Sequence, residues 1–334
     1  MRRILASLFL FCASFFFAPQ SASAVTIDSA PVGNAGNGND PLTGNLYGSV
    51  SYDYRIGTTK VTNTQYAAFL NEKAKSDPLS LYNASMGSDA RGGITQSGIS
   101  PNFSYTPKTD MGNKPVNFVS WYDSIRFANW LNNGQGAGDT ETGAYMLDGG
   151  TPTPSNGLSI NRELGATWFL TSENEWYKAA YHQPAAEGGD ADNYWLYPTA
   201  SNSVPTIATA KGVGDISNPG TNVANYFQGA VWNSLTGNLT TVGSAGPLSQ
   251  GFYGTSDQGG NVYEWNEALI NGSFRGVRGG AFNVSASFLQ SSSRNIGTFP
   301  TIEGSTLGFR VATIPEPSTL VLVGLAAWGW RRRR

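Results

Sequence analysis

Apolar residues recur at helical spacing in three segments of the chain, residues 63–74, 121–133 and 173–182. Each segment follows a Ser or Thr that can cap a helix, and an acid or amide three positions later can reach back to the N–H group of the cap. The three pairs are Thr62 with Gln65, Ser120 with Asp123, and Ser172 with Glu175. The sequence therefore predicts three short helices that each bury one face.

Alternating apolar and polar residues predict strands elsewhere in the chain. Residues 48–57 and 307–314 show this alternation, and residues 274–282 read as a strand bent by glycine. Residues 79–115 and 183–222 are rich in Gly, Ser, Asn and Pro, which predicts long irregular surface loops. No internal repeat or linker divides the chain. The pattern therefore predicts one loop-rich domain of the α+β class.

The composition and charge exclude two classes of partner, nucleic acid and anionic lipid. Of the 334 residues, 40% are hydrophobic and 12% aromatic, which is enough to form a full core. Charged residues make up only 13%, and the formal net charge is −2. The chain therefore has no basic field to hold nucleic acid or anionic lipid, and we expect no nucleic-acid partner.

Residues 1–24 have the layout of a cleaved secretory signal. Two arginines precede an apolar run from Ile4 to Ala18, and small residues follow up to Ala24. The single cysteine, Cys12, lies inside this segment. The exported chain would therefore contain no thiol, which excludes disulfides, thiolate nucleophiles and thiolate metal sites from it.

Residues 314–334 combine three parts in a fixed order. A Pro-Glu-Pro triplet from Pro315 to Pro317 comes first, an apolar stretch from Leu320 to Trp330 follows, and four arginines end the chain. The apolar stretch is shorter than the roughly 20 residues that a membrane-spanning helix needs. A frayed amphipathic tail is one interpretation. The order of the parts closely resembles the PEP-CTERM sorting signal of Gram-negative bacteria.

The PEP-CTERM resemblance implies export and processing. It implies an exosortase-type membrane protease as a partner and transient membrane association through the C-terminal segment. It also implies that the protein ends at the cell surface or in the extracellular matrix of a Gram-negative bacterium.

Seven segments between about Gly48 and Ala312 occur in the order seen in one protein family. They are YRIGTTKVTNTQYAAFLN, KPVNFVSWYDSIRFANWLN, FLTSENEWYKAAYH, ANYFQG, GGNVYEWNEA, RGGAF and GFRVA. The chain thus resembles the formylglycine-generating enzymes, also called sulfatase-modifying factors. The resemblance implies a single-domain, loop-rich α+β fold, the formylglycine-generating-enzyme-type variant of the C-type lectin fold, stabilised by calcium.

The resemblance places a calcium site in the segment DQGGNVYEWNE. Carried over from the family, the ligands are the side chains of Asp257 and Glu264 and the main-chain carbonyls of Gly260 and Val262. Calcium takes hard oxygen ligands, and neighbouring glycines let the backbone turn its carbonyls inward. Alternatively, the two acids only cap turns or pair with Arg275 or Arg278.

A second calcium site is implied by the segment ANYFQG. Its ligands would be the side chain of Asn225 and the carbonyl of Tyr226. The other half of this site should supply an aspartate, and the aligned stretch NSLTGNLTTVG contains none. The resemblance therefore implies only part of a second site.

The metal chemistry of the family requires residues that the chain lacks. The formylglycine-generating enzymes bind copper(I) through two cysteines, because soft thiolates hold this ion tightly. In GGAFNVSASFLQ, Val284 and Leu289 stand in the corresponding places. Iron-dependent relatives use three histidines, whereas this chain has only His182. We therefore expect neither copper nor iron as a cofactor.

Other polar residues allow further interpretations. His182 ends the third predicted helix, where an imidazole can satisfy the last carbonyls. Paired acids for glycoside hydrolysis could be drawn from four candidates, Asp123, Glu173, Glu175 and Glu264. Three arginines match family positions and can tie loops to carboxylates or, alternatively, grip an anionic sugar; they are Arg278, Arg294 and Arg310.

These observations predict a signal peptide at 1–24, one domain at 25–313 and a sorting signal at 314–334. They favour a non-catalytic, calcium-stabilised, exported module that binds a polysaccharide or a surface protein. The alternatives are an oxidoreductase or hydrolase with an unrecognised active site, and a matrix component without a specific ligand. Fold resemblance alone does not decide between them.

Overall fold

The computed structural model describes residues 24–294 and 297–314. Its α-helices are α1 (Asn63–Lys73), α2 (Ser85–Ser88), α3 (Trp121–Asn132) and α4 (Glu173–Tyr181). Its strands are β1 (Ser29–Val32), β2 (Tyr54–Gly57), β3 (Ile94–Ser97), β4 (Ser104–Pro107), β5 (Trp168–Leu170), β6 (Thr206–Ile207), β7 (Ala210–Lys211), β8 (Asp215–Ile216), β9 (Val223–Ala224), β10 (Tyr263–Ile270), β11 (Phe274–Arg278), β12 (Leu307–Gly308) and β13 (Val311–Thr313).

The two predicted targeting segments fall almost entirely outside this description. Residues 1–23 of the predicted signal peptide and residues 315–334 of the predicted sorting signal lie outside the described residues. Within the part that is described, none of the helices is both long enough and apolar enough to cross a membrane.

The three predicted helices are present, and each begins at its predicted cap. Thr62, Ser120 and Ser172 each accept a hydrogen bond from the N–H group three residues later, and the side chain at that position accepts one from the cap in return. The helices end at Lys73, Asn132 and Tyr181, one residue short of the prediction. These capping boxes depend only on residues three apart, which is why the sequence located them.

A four-stranded antiparallel sheet has the order β1-β2-β13-β5. The central strand β13 places Ala312 opposite Ile56 of β2 and Phe169 of β5. The predicted strand at 48–57 is only half right, because β2 begins at Tyr54. Two N–H groups in its first half donate to Asn side chains instead of a neighbouring strand: Gly48 to Asn174 at 3.1 Å and Val50 to Asn37 at 3.2 Å.

A three-stranded sheet has the order β11-β10-β12. Strand β10 pairs antiparallel with β11 and parallel with β12, and its register with β11 shifts between Trp265 and Leu269. The predicted strand at 307–314 divides here, because β12 belongs to this sheet and β13 to the four-stranded one. Phe309 and Arg310 therefore form the link between the two sheets.

The two long segments predicted as irregular contain short regular elements. Residues 79–115 include α2 and the hairpin β3-β4, in which Thr95 lies opposite Thr106. Residues 183–222 include β6, β7 and β8, of which β7 and β8 pair antiparallel. These strands have two to four residues each, too few for alternation to register in the sequence.

An aromatic cluster joins α1, α3 and the link between the sheets. The rings of Phe69 and Phe127 lie 5.4 Å apart, and Phe309 lies 5.4 Å from Phe127. Tyr66 stacks on Phe127 at 6.0 Å. Such pairs add about 0.5–1.5 kcal/mol each beyond the burial of their surface. Because Phe309 is fixed in this cluster, the next residue, Arg310, is held at a defined place in the interior.

Candidate functional site

Residues 257–262 form the turn that leads into β10. Asp257 has a φ of +58° and Gly260 a φ of +83°. A Cβ atom at position 260 would lie 2.2 Å from the main-chain oxygen of Asn225, so glycine is required there. The N–H group of Asn261 donates to that same oxygen at 2.8 Å. The two segments that the resemblance assigns to separate calcium sites are therefore in contact.

Glu264 lies near the start of β10 and is completely buried. Its Oε1 atom lies 2.9 Å from the Nζ atom of Lys60 and accepts a hydrogen bond from Nη2 of Arg310 at 2.8 Å. Its Oε2 atom accepts from Nε of Arg310 at 2.6 Å and from Nε1 of Trp176 at 2.7 Å. Four donors from three different parts of the chain therefore converge on one carboxylate.

Asp257 contacts the same lysine through its main chain. The Nζ atom of Lys60 donates to the main-chain oxygen of Asp257. The carboxylate of Asp257 accepts a hydrogen bond from the N–H group of Gly243 at 2.6 Å. Asp257 and Glu264 together with Lys60 and Arg310 thus form a cluster of two negative and two positive charges, which sum to zero.

The electrostatics of this cluster keep Glu264 ionised. Burial alone would raise the pKa of Glu264, but the charges and hydrogen bonds of Arg310 and Lys60 outweigh burial and lower it. Burial lowers the pKa of Lys60, and the opposite charge of Glu264 counteracts this effect. Burial raises the pKa of Asp257 against the opposing influence of Lys60.

The arrangement around Glu264 does not fit a calcium ion. An ionised carboxylate has about four lone-pair positions, and the four donors named above use one each. Within residues 24–294 and 297–314, no group of three or more His, Cys, Asp or Glu side chains could hold a metal. Gly260 and Val262 lie in the predicted segment, but Glu264 has no free lone pair to offer beside their carbonyls.

The second predicted calcium site has a different character. The Nδ2 atom of Asn225 donates to the main-chain oxygen of Asn238 at 2.9 Å and to Oγ1 of Thr240 at 3.2 Å. The carbonyl of Tyr226 accepts from the N–H group of Gly229 at 3.2 Å. The Oδ1 atom of Asn225 is buried and has no hydrogen-bond partner among the described residues. This half-site therefore keeps one acceptor that a cation could use.

The positions of the family cysteines are filled by apolar packing. Leu289 is fully buried and packs with Tyr197, Ala224 and Tyr226. The main-chain oxygen of Leu289 accepts a hydrogen bond from the hydroxyl group of Tyr181 at 3.0 Å. Val284 is half-buried against the same cluster. Neither side chain carries an atom that can bind copper or exchange a proton.

The sequence predicts that the ring of His182 satisfies the last carbonyls of α4. The structure differs from this prediction. The Nδ1 atom of His182 instead forms a 2.8 Å hydrogen bond with the hydroxyl group of Tyr253, and the ring packs edge-on against Tyr194. Burial lowers the pKa of His182 to about 4. The imidazole is therefore neutral at physiological pH and acts as a polar, hydrogen-bonding side chain rather than as a cation.

Three arginines, Arg278, Arg294 and Arg310, tie loops together through ion pairs. Glu173 accepts from Arg278 at 2.6 Å and from Arg294 at 2.7 Å, as the loop-tying interpretation of these arginines predicted. Arg310 pairs in the same way with Glu264, at 2.6 Å. The guanidinium groups are therefore already paired, and they do not form a free cluster for an anionic sugar.

The remaining candidate acids are also engaged. Arg162 bridges Glu175 at 2.6 Å and Glu267 at 2.7 Å. Asp123 accepts from the N–H group of Ser120 at 2.8 Å. None of the four acids considered for glycoside hydrolysis has a carboxylate without hydrogen bonds in the described structure.

A polar cavity of about 310 Å³ lies between residues 34–39 and residues 182–194. Its lining side chains are dominated by amides and one phenol: Asn34, Asn37, Asn39, Asn193 and Tyr194. The hydroxyl group of Tyr194 accepts from Asn37 at 2.7 Å and donates to the main-chain oxygen of Gly38 at 2.7 Å, which joins the two walls. His182 and Asp192 complete the lining.

Two of these features were missed in the sequence. Lys60 lies in the short stretch GTTKVT, residues 57–62, in which no pattern marks the lysine as buried. The segment NAGNGN, residues 34–39, alternates amides with small residues, which is typical of a loop that presents polar groups.

Comparison with solved structures aligns the chain with three proteins, among others. The crystal structure of CarF aligns with a TM-score of 0.56 at 22% identity and covers 88% of this chain and 100% of its own. Treponema denticola variable protein 1 aligns with a TM-score of 0.49 at 20% identity, and the alignment covers 89% of this chain and 98% of that protein. PvdO from Pseudomonas aeruginosa aligns with a TM-score of 0.44 at 19% identity, and the alignment covers 86% of this chain and 92% of PvdO. The likeness to CarF concerns the fold alone.

Sequence comparison supports both predicted resemblances. No curated protein matches the chain at a significant level. The PEP-CTERM protein-sorting motif matches residues 313–334, one residue earlier than predicted. This signal implies export to the envelope or surface of a Gram-negative bacterium and processing by an exosortase. The sulfatase-modifying factor enzyme 1-like domain matches residues 32–314, most of the chain, and with the fold described above this means that the protein belongs to the sulfatase-modifying factor family.

Proposed function

We propose that this domain is a non-catalytic binding module displayed outside the cytoplasm, with the polar cavity as its ligand site. The observation that carries the proposal is the packing at the family's cysteine positions. Leu289 is fully buried there, and Val284 packs beside it. A domain that keeps the family fold while filling the reactive position retains a scaffold but not the atoms for copper chemistry.

The cavity between residues 34–39 and 182–194 supports a binding role. Its volume of about 310 Å³ is at the lower end of the range typical of small-ligand sites, roughly 300–1,000 Å³. Amide side chains both donate and accept hydrogen bonds, as sugar hydroxyls do. Of the described residues that line the cavity, Asp192 alone carries a full charge, and His182 is neutral. This chemistry favours an uncharged polar ligand, and we propose a segment of extracellular polysaccharide.

The location of the protein agrees with this ligand class. A PEP-CTERM signal takes the chain to the envelope, where surface and matrix polysaccharides are abundant. Calcium is not part of this proposal, because the predicted ligand Glu264 is saturated by donors and lies in a different part of the fold from the cavity.

Binding can be tested with a variant that fills the cavity. Gly38 lines the cavity, and a Cβ atom built on it meets no atom within 4 Å. Gly38→Trp should therefore fold normally and place a large side chain at the wall of the ligand space. The matched control is Gly220→Trp, because Gly220 is also open within 4 Å but is not among the cavity residues. Binding of the purified protein to a glycan array and to the producing bacterium's exopolysaccharide gives the readout.

The expected result is binding by the wild type and by Gly220→Trp, and at least about a tenfold loss in Gly38→Trp, equivalent to about 1.4 kcal/mol. Equal binding by all three proteins would show that the ligand does not use this cavity. No glycan binding together with capture of a co-sorted surface protein would favour the protein-binding alternative.

A further inference from the structure

The buried cluster around Glu264 contains a cation that belongs to the chain itself. Lys60 lies in the segment between β2 and α1, and its side chain is 0% exposed. Its ammonium group lies 2.9 Å from the Oε1 atom of Glu264 and donates to the main-chain oxygen of Asp257. It therefore binds one atom from each of the two residues whose side chains the family resemblance assigns to calcium.

The charges leave no place for an additional divalent ion. Asp257 and Glu264 are balanced by Lys60 and Arg310, so the net charge of the cluster is zero. A calcium ion added to this set would leave two uncompensated positive charges in the interior, which is strongly unfavourable. Every lone-pair position of Glu264 is also in use.

We propose that the ammonium group of Lys60 takes the place of the structural calcium ion around Glu264. A lysine side chain supplies a compact positive charge with three donors on a flexible stem, which suits a site of oxygen ligands. Because this cation is covalently attached, it cannot dissociate when the calcium concentration outside the cell falls. The region around Glu264 is therefore stable without calcium. This inference is independent of the proposed ligand cavity.

The geometry of the neighbouring turn supports the replacement of calcium by Lys60. Gly260 pairs with Asn225 in a parallel bridge, and its N–H group donates to the main-chain oxygen of Gly279 at 2.8 Å. The turn is thus held by backbone hydrogen bonds and by Lys60. Asn225 is a separate case, because its buried Oδ1 atom has no hydrogen-bond partner among the described residues and remains an acceptor for a cation at the second half-site.

Thermal unfolding with and without a calcium chelator tests the proposal. The proteins are the wild type and Asn225→Ser, which removes the amide oxygen of the second half-site. We expect the melting temperature of both to stay the same when calcium is chelated. A fall confined to the wild type would also support the proposal, because calcium would then act at Asn225. A fall that persists in Asn225→Ser would overturn it, because calcium would then act around Glu264.

A second comparison tests the lysine directly. Lys60→Met removes the charge and keeps an unbranched side chain that is one atom shorter, and Lys75→Met at an exposed position is the matched control. Removing one partner of a buried ion pair should lower the melting temperature by about 10 °C in Lys60→Met. Lys60→Met as stable as Lys75→Met would contradict the proposal. If Lys60→Met does not fold, the chelation experiment on the wild type and Asn225→Ser still decides.

Discussion

Arg310 holds Glu264 through two parallel hydrogen bonds, from Nε to Oε2 at 2.6 Å and from Nη2 to Oε1 at 2.8 Å, and both side chains are completely buried. The same guanidinium donates to the main-chain oxygens of Gly57 and Ser256 at 2.8 and 2.9 Å. A single arginine thus connects the end of β2, the turn before β10 and the link between the two sheets.

Replacement of this arginine should be strongly destabilising. Arg310→Met leaves a buried carboxylate with fewer partners, so we expect the free energy of unfolding to fall by about 3–5 kcal/mol. Arg294→Met is the control, because Arg294 pairs with Glu173 at a partly exposed position and should cost about 1 kcal/mol or less. Urea unfolding measures both. Similar losses in the two variants would contradict the importance of burial for the pair.

The apolar residue at the former cysteine position should be important for stability. Leu289→Ala opens a cavity beside Tyr197 and Tyr226, so we expect a loss of about 2–5 kcal/mol in urea unfolding. Phe288→Ala is the control, because the neighbouring Phe288 is 44% exposed and should lose much less. If Leu289→Ala were as stable as the wild type, Leu289 would not be part of the packed core.

The pair Asp123 and Glu303 should make stability depend on pH. Burial and then the charge of Glu303 raise the pKa of Asp123 well above its usual range, and burial raises the pKa of Glu303, which hydrogen-bonds to Asp123. A raised pKa in the folded state stabilises the protein at acid pH, and this contribution is lost as the pH rises through the folded pKa. Wild-type stability should therefore fall as the pH rises above about 4, the ordinary pKa of a carboxyl group.

Glu303→Gln should remove much of the loss of stability that accompanies rising pH. The glutamine can still accept from Asn83, which donates to Oε2 of Glu303 at 2.5 Å, and it places no second charge beside Asp123. The variant should thus be more stable than the wild type at about pH 8 and similar to it at about pH 4. Exposed Glu163→Gln is the control and should follow the wild type at both values. If the stability of Glu303→Gln and of the wild type changed with pH in the same way, the carboxyl groups of Asp123 and Glu303 would not interact.

The sequence predicted those features that depend on neighbouring residues. The three capping boxes lie within four residues each, and the helices that they start were placed correctly. The family resemblance then supplied the fold, because ordered motifs preserve it where periodicity is weak. The strand at 48–57 was predicted too long because Asn37 and Asn174, distant in sequence, satisfy its backbone N–H groups.

The candidate site was less predictable because it depends on contacts across the chain. Lys60 and Glu264 are separated by 204 positions, and only the folded chain brings the ammonium group to the carboxylate. The sequence alternative that Glu264 pairs with an arginine was right in kind, although the partner is Arg310 rather than Arg275 or Arg278. Residues 34–39 and 182–194 are far apart in sequence, and Tyr194 joins them by its hydrogen bonds with Asn37 and with the main-chain oxygen of Gly38.

The position of β13 has a consequence for export. This strand is the last regular element in the described part of the chain, yet it lies inside its sheet between β2 and β5. An incomplete polypeptide that has not yet delivered residues 311–313 across the inner membrane has no central strand with which β2 and β5 can pair. We therefore expect the chain to remain unfolded, and so competent for translocation, until almost all of it has crossed.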